Sequence, residues 1–215
     1  MTTNTSDLLR PLAILICFHI AVIAASNYLV QIPVTILGLH TTWGTFTFPL
    51  VYLATDLTVR IFGAASARKI IFWVMFPALL LSYVVSIIFF QGSYQGISEL
   101  SVFNSFVFRI ALASFIAYAA GQFLDIRVFD YLRKNSRWWV APAASTIVGN
   151  LVDTALFYFI AFYRSTDEFM ATYWPEIGLL DYGFKIVVSL LLFLPVYGVL
   201  LQLLSYRISG KKSHS

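Results

Sequence analysis

The 215-residue sequence is 60% hydrophobic and only 11% charged, with a mean hydropathy of +0.82. Soluble domains carry about 25% charged residues because a water-facing surface needs polar cover, so this composition excludes a water-soluble globule. The net charge of +4 would point to nucleic acid on a soluble protein, but here the basic residues follow loop positions, and no direct nucleic-acid partner is expected.

Pro11 to Thr55 and Ile70 to Ser98 contain no Asp, Glu, Lys or Arg. A hydrocarbon core of roughly 30 Å takes about 20 apolar residues per helix, so the first run holds two passes joined near Pro33, Gly38 and Gly44. The opening apolar stretch is too long for a signal peptide, and no small-residue cleavage site follows a basic region. Backbone polar groups find no water in lipid, so each pass must be helical. Helices are predicted at Pro11–Leu29, Thr45–Phe62, Lys69–Phe90, Asn104–Leu124, Trp139–Tyr163 and Leu179–Tyr206. The expected fold is therefore all-α: one six-helix transmembrane domain over residues 1–215, with short cytoplasmic tails at 1–10 and 207–215. Cys17, the single cysteine, can form no intrachain disulfide and is expected to pack within its span.

Loop charges orient the chain. Arg10 precedes the first helix, Arg60, Arg68 and Lys69 flank the second connection, and Arg127, Arg133, Lys134 and Arg137 crowd the fourth. The first and third connections have no basic residue, and the fifth sets Arg164 against Asp167, Glu168 and Glu176. Arg207, Lys211 and Lys212 end the chain. Positive-inside logic puts both termini in the cytoplasm of an inner-membrane protein. Trp138 and Trp139 then lie at the cytoplasmic interface, and Trp43 and Trp174 at the outer one. Residues 31–44 and 91–103 are too apolar for freely solvated loops. They either fold back as interfacial or re-entrant segments or lie in the headgroup region. Three passes per half would invert the second half, and A-T-D-L-T at Ala54–Thr58 and L-V-D-T at Leu151–Thr154 each put an Asp followed by a Thr inside the hydrocarbon, which suggests an inverted three-plus-three repeat.

Ionisable residues inside the spans carry the functional signal, since each costs about 2.5–3.5 kcal/mol on insertion scales. Asp56, Arg109, Asp153 and Lys185 stand out. At about 1.5 Å per residue, Asp153 and Lys185 lie roughly 9–15 Å below the outer surface, on helices joined by an outer connection, so they should be neighbours. Thr146, Asn150, Asp153 and Phe157 share one helix face, as do Tyr52, Asp56 and Arg60, and Asp181, Lys185 and Ser189. Asn27 lies at similar depth, with Gln31 one turn on. A polar, aromatic-lined cavity for a small molecule fits these groups. Structural ion pairs, Asp153 with Lys185 and Asp56 with Arg60, are the alternative. Ser114, Tyr118, Gln122 and Asp125 form a separate stripe. His19 reads as a hydrogen-bonded packing residue and His40 as a loop residue. No nucleotide-binding loop, metal spacing or catalytic triad is legible, so no cofactor, metal or enzymatic activity is expected.

Longer motifs carry a resemblance over about Leu8 to Tyr206. They are S-N-Y-L-V-Q from Ser26, L-G-L-H-T-T-W-G-T-F from Leu37, A-T-D-L-T-V-R-I-F-G from Ala54, G-N-L-V-D-T from Gly149 and D-Y-G-F-K from Asp181. With these the chain resembles the vitamin uptake transporter family. The resemblance implies a six-helix importer of 7-cyano-7-deazaguanine and 7-aminomethyl-7-deazaguanine, precursors of the tRNA nucleoside queuosine. A carboxylate would accept the adjacent N1–H and N2–H₂ donors of such a ring, and an amide or cation would donate to O6. Asp153 is the favoured carboxylate and Asp56 the other. Asn27, Asn150, Arg109 and Lys185 can donate, and Phe48, Tyr52, Phe157 and Tyr158 can clamp the ring. A stand-alone carrier is the main expectation. The alternative is the substrate-binding subunit of an energy-coupling-factor importer, whose partner helix could pack on Ala21 and Ala25. Coupling and a homodimer stay open.

Overall fold

The computed structural model describes residues 5–132 and 139–193. The side chains of Phe48, Tyr52, Asp56 and Asp125 lie outside the described set, as do Arg133, Lys134, Arg137, Trp138 and the tail cations. In chain order the elements are helix α1 (Thr5–Leu29), strands β1 (Pro33–Ile36) and β2 (Leu39–Thr42), a 3₁₀ turn (Trp43–Thr47), α2 (Phe48–Phe62) and α3 (Ala64–Ile88). Strands β3 (Phe89–Phe90) and β4 (Ser93–Tyr94), a second 3₁₀ turn (Ile97–Ser101), α4 (Ser105–Leu132), α5 (Val140–Phe162), α6 (Glu168–Val188) and a π-helical turn (Ser189–Phe193) follow. The fold is helical as expected, and four of the described helices, α1, α3, α4 and α5, are long and apolar enough to cross a membrane.

Three boundaries differ from the sequence reading, each for a local reason. The second connection is a single residue, Gly63, whose φ of +78° turns α2 directly into α3 while its N–H bonds the Val59 carbonyl at 2.8 Å. Arg68 and Lys69 therefore sit in the first turns of α3. Helix α6 begins at Glu168, not Leu179, because Glu168, Glu176 and Asp181 lower the hydropathy of a segment that is nonetheless helical. The two apolar loops at 31–44 and 91–103 are built on antiparallel hairpins, each followed by a 3₁₀ turn. Their tips are Leu37-Gly38 and Gln91-Gly92, all four residues at positive φ. Such paired positive φ angles match the twist of a two-residue hairpin loop.

The surface is inverted relative to a soluble protein. Trp73 and Leu80 on α3 are 70% and 68% exposed, while Ser82 and Ser86 on the same helix are buried. Apolar surface on this scale is stable only against hydrocarbon. Cys17, expected to pack inside, is also exposed.

The described residues form two compact units, Met1–Ile116 with Leu156–Leu179, and Ala117–Ala155 with Leu180–Ser215. In the first, α1 packs on α3 and α2, with Ala54, Ala67 and Ala78 fully buried. Small residues let membrane helices approach closely where apolar burial gives little driving force. An aromatic-rich core joins Val30, Ile87, Phe106, Tyr158, Phe162 and Met170. Asn104 starts α4 by accepting the Val107 N–H at 3.1 Å, a side-chain cap.

The first hairpin is seated on the end of α1 at Gly44, where an added Cβ would lie 2.9 Å from the Val30 backbone. Replacing Gly44 by Ala must push the hairpin off α1. The expected loss is about 1–3 kcal/mol, measured as a lower melting temperature of the purified protein in detergent.

Candidate functional site

In the second unit Lys185 is the centre of a buried charge cluster. Its Nζ lies 2.9 Å from Asp181 Oδ2 and 3.2 Å from Asp153 Oδ2, and donates to Thr154 Oγ1 at 3.1 Å. Asp181 precedes Lys185 by one helical turn, and Asp153 and Thr154 come from α5. Thus two carboxylates share one ammonium. They are not equivalent: the Asp181 side chain is 6% exposed, that of Asp153 29%. Helix α4 meets this point with no side chain between, because a Cβ on Gly121 would be 3.1 Å from Asp153 Cβ and 3.3 Å from the Gly149 carbonyl. Asn150 is half-buried on the same helix as Asp153.

In the first unit Asn27 ties three helices together. Its Nδ2 donates to Ser82 Oγ at 3.3 Å, and its Oδ1 accepts from Ser114 Oγ at 2.5 Å. His19 bonds Thr58 at 3.0 Å, both fully buried, a packing role as expected. At the base of the first hairpin Gln31 and Thr42 are fully buried, and neither Gln31 amide atom nor the Thr42 hydroxyl has a hydrogen-bond partner among the described residues. Each such group costs about 1–3 kcal/mol.

Arg109 is engaged by backbone carbonyls. Its guanidinium donates to the carbonyls of Ile160 at 2.9 Å, Tyr163 at 2.6 Å and Arg164 at 3.3 Å. These belong to the end of α5, where helical carbonyls lack partners and carry partial negative charge. Phe157 packs with Tyr158 and Phe162 beside the first unit's core. The expected neighbours Asp153 and Lys185 are brought together, while Asn27 belongs to the other unit. For Tyr52 and Asp56 only the α2 backbone is described. Asp181 was visible on the Lys185 face by its i, i+4 spacing, yet its share in the charge cluster was not read. Thr154 and Gly121 gave no signal beyond adjacency to Asp153 and membership of an apolar run.

His40 is more than a loop residue. Its backbone N–H donates to Glu176 Oε1 at 2.8 Å, its ring Nδ1 lies 3.1 Å from both carboxylate oxygens, and the ring stacks on Tyr173 at 4.0 Å. The His40 backbone N–H, and secondly its ring, hold the Glu176 carboxyl below the usual carboxylate range. Elsewhere in this unit an open cavity of about 330 Å³ is lined by Ile87, Phe90, Gln95, Glu99, Val102 and Asn104, among others.

Apolar helices that hide paired charges and polar knots define a multi-pass membrane protein. The family model described as "Putative vitamin uptake transporter" matches residues 42–200. The chain is 62% identical over 194 residues to the queuosine precursor transporter of Escherichia coli (strain K12), covering 90% of this chain and 88% of that protein. It is 54% identical over 199 residues to the probable queuosine precursor transporter of Haemophilus influenzae, covering 87% and 85%. A probable queuosine precursor transporter of Bacillus subtilis (strain 168) is 31% identical over 174 residues, covering 77% and 74%. No solved structure matches the chain. The chain belongs to the vitamin uptake transporter family and is a multi-pass transporter of the inner membrane.

Two outcomes follow from this geometry. Arg109→Ala removes the donors to three carbonyls, of which only that of Ile160 is part-buried, so stability in detergent should fall by about 0.5–1.5 kcal/mol, while uptake per correctly inserted molecule stays near wild type. The Glu176 carboxylate is the bonded form, and its folded-state pKa is lowered. Its contribution is therefore present at neutral pH and lost as pH falls through the carboxylate range. In Glu176→Gln, melting temperature measured against pH should show a smaller acid-side decline than wild type.

Proposed function

We propose that the chain imports the queuosine precursors 7-cyano-7-deazaguanine and 7-aminomethyl-7-deazaguanine, as a stand-alone carrier. The printed names of the relatives support the substrate class, and the Lys185 cluster supplies the chemistry. Lys185 is nearer to Asp181 than to Asp153. Asp153 can therefore turn to a ligand without leaving the ammonium unpaired, the situation that makes broken buried pairs costly. Its carboxylate accepts from the ring N1–H and N2–H₂, and Asn150 or Lys185 donates to O6. Asn27, Tyr52 and Asp56 are kept in this proposal as substrate-binding residues on their chemistry alone, as donors, acceptors or ring clamps. Arg109 is assigned to the end of α5, and Phe157 to core packing.

The carrier crosses the membrane six times, with both termini in the cytoplasm. At 15 residues, α2 is roughly 22 Å long, short of a hydrocarbon core. The preceding 3₁₀ turn adds roughly 10 Å and completes the pass. The A-T-D-L-T segment around Asp56 and the L-V-D-T segment ending at Thr154 are then matched positions of an inverted three-plus-three repeat. A second reading, a binding subunit that needs a coupling partner, is favoured by Cys17, Ala21 and Ala25, exposed at i, i+4, i+8 on α1. Purified protein alone in liposomes distinguishes them: a stand-alone carrier accumulates or equilibrates label unaided, and an uncoupler reports any proton coupling.

Asp153→Ala should abolish precursor uptake by cells while the protein still inserts at wild-type levels. Normal uptake by such a well-expressed variant overturns the assignment of Asp153.

A further inference from the structure

We propose that Gln31 and Thr42 form a second recognition point for the imported base, separate from the Asp153 cluster. Together they would read the lactam edge and the neighbouring amino group of the ring. This rests on the import function proposed above.

The two residues flank the base of the first hairpin. Gln31 follows the end of α1, where its N–H bonds the Tyr28 carbonyl at 3.2 Å. Thr42 ends β2 opposite Pro33, and Trp43 N–H closes the base on the Ile32 carbonyl at 3.1 Å. Gly44 then lies tightly against Val30. The backbone carrying both side chains is thus fixed from two sides.

Both residues are fully buried. Neither the Gln31 Nε2 and Oε1 nor the Thr42 Oγ1 has a partner among the described residues. Native structures pair nearly all buried polar atoms, and those left over call for a physical reason. The contrast within this unit is sharp, since Asn27, Ser82, Ser114, His19 and Thr58 are all bonded. An apolar side chain at position 31 would carry no such cost, so packing alone does not account for an amide.

The chemistry of the unpaired atoms narrows the ligand. A side-chain amide offers an N–H donor and a carbonyl acceptor side by side. A ring lactam offers the complementary pair, N1–H and O6, at matching spacing. The two form a double hydrogen bond of the kind Gln makes with base edges. A hydroxyl accepts or donates as required, so Thr42 can accept from the 2-amino group that adjoins N1. This set is neutral, and it suits a neutral ring.

The test is equilibrium binding by the purified full chain in detergent. The probes are 7-cyano-7-deazaguanine and its analogue lacking the 2-amino group. Thermal melts without ligand are recorded in parallel. Gln31→Leu should bind both compounds about 10- to 100-fold more weakly and melt no lower than wild type. Thr42→Val should lose affinity for the amino compound by part of the factor that deamination costs wild type, the rest belonging to Asp153, and bind the analogue as wild type does. Should Gln31→Leu not fold, the shape-conserving Thr42→Val arm decides by this selectivity alone. Unchanged affinity in Gln31→Leu, or equal losses for both compounds in Thr42→Val, overturns the proposal. So does a lower melting temperature with affinity intact, which marks a packing role. Failure of wild type to bind either compound would instead remove the import function itself.

Discussion

Hydrocarbon offers neither donor nor acceptor, and the outward side chains here include Trp73, Leu80 and Leu191. Every polar group between the helices must therefore be satisfied from within the protein. Away from Gln31 and Thr42, the chain meets this constraint in three ways. Arg109 neutralises the carbonyls at the end of α5. Asn27 and two serines close a neutral knot among α1, α3 and α4. Lys185 is surrounded by two carboxylates and a threonine hydroxyl. The last sets two acids against one base, and one of those carboxylates, Asp153, is partly open.

In the proposed reading, that imbalance is what separates a working cluster from a structural pair. A buried pair of one acid and one base is held together by the cost of separating it, and removing either partner is worth several kcal/mol. A shared cation relaxes that lock. Asp181, the deeper and closer acid, fixes Lys185 within its own helix, so Asp153 can exchange partners. The close approach of α4 at Gly121 keeps bulk away from Asp153 and preserves its position on α5.

Much of this was legible in the sequence, and what was not has identifiable causes. The meeting of Asp153 and Lys185 followed from helical rise and a shared connection. Helix α6 was shortened because hydropathy registers lipid contact, not helix, and Glu168 and Glu176 lie outside lipid-like composition. The hairpins at Leu37-Gly38 and Gln91-Gly92 were missed although each tip has the glycine a tight turn needs, since Leu is a rare first residue at positive φ. The role of Arg109 could not be read, because its partners are backbone carbonyls distant in sequence and identical in every residue type. A buried Gln31 is likewise visible only once its surroundings are known to leave it unbonded.

The acidic fifth connection illustrates how charge count can mislead where geometry does not. Asp167 bonds the Met170 N–H through Oδ1 at 2.8 Å, and through Oδ2 accepts from Gln91 at the tip of the second hairpin at 2.6 Å. Glu176 holds His40 on the first hairpin. Two carboxylates of this segment are thus anchors, one for each hairpin. Both attach to the region opening α6, so the two hairpins are referenced to one support though they are far apart in sequence. Neither can shift outward without surrendering a charge-assisted hydrogen bond, the stronger kind. The first hairpin carries Thr42 at its base, so its anchoring at His40 also determines how firmly that buried hydroxyl is held.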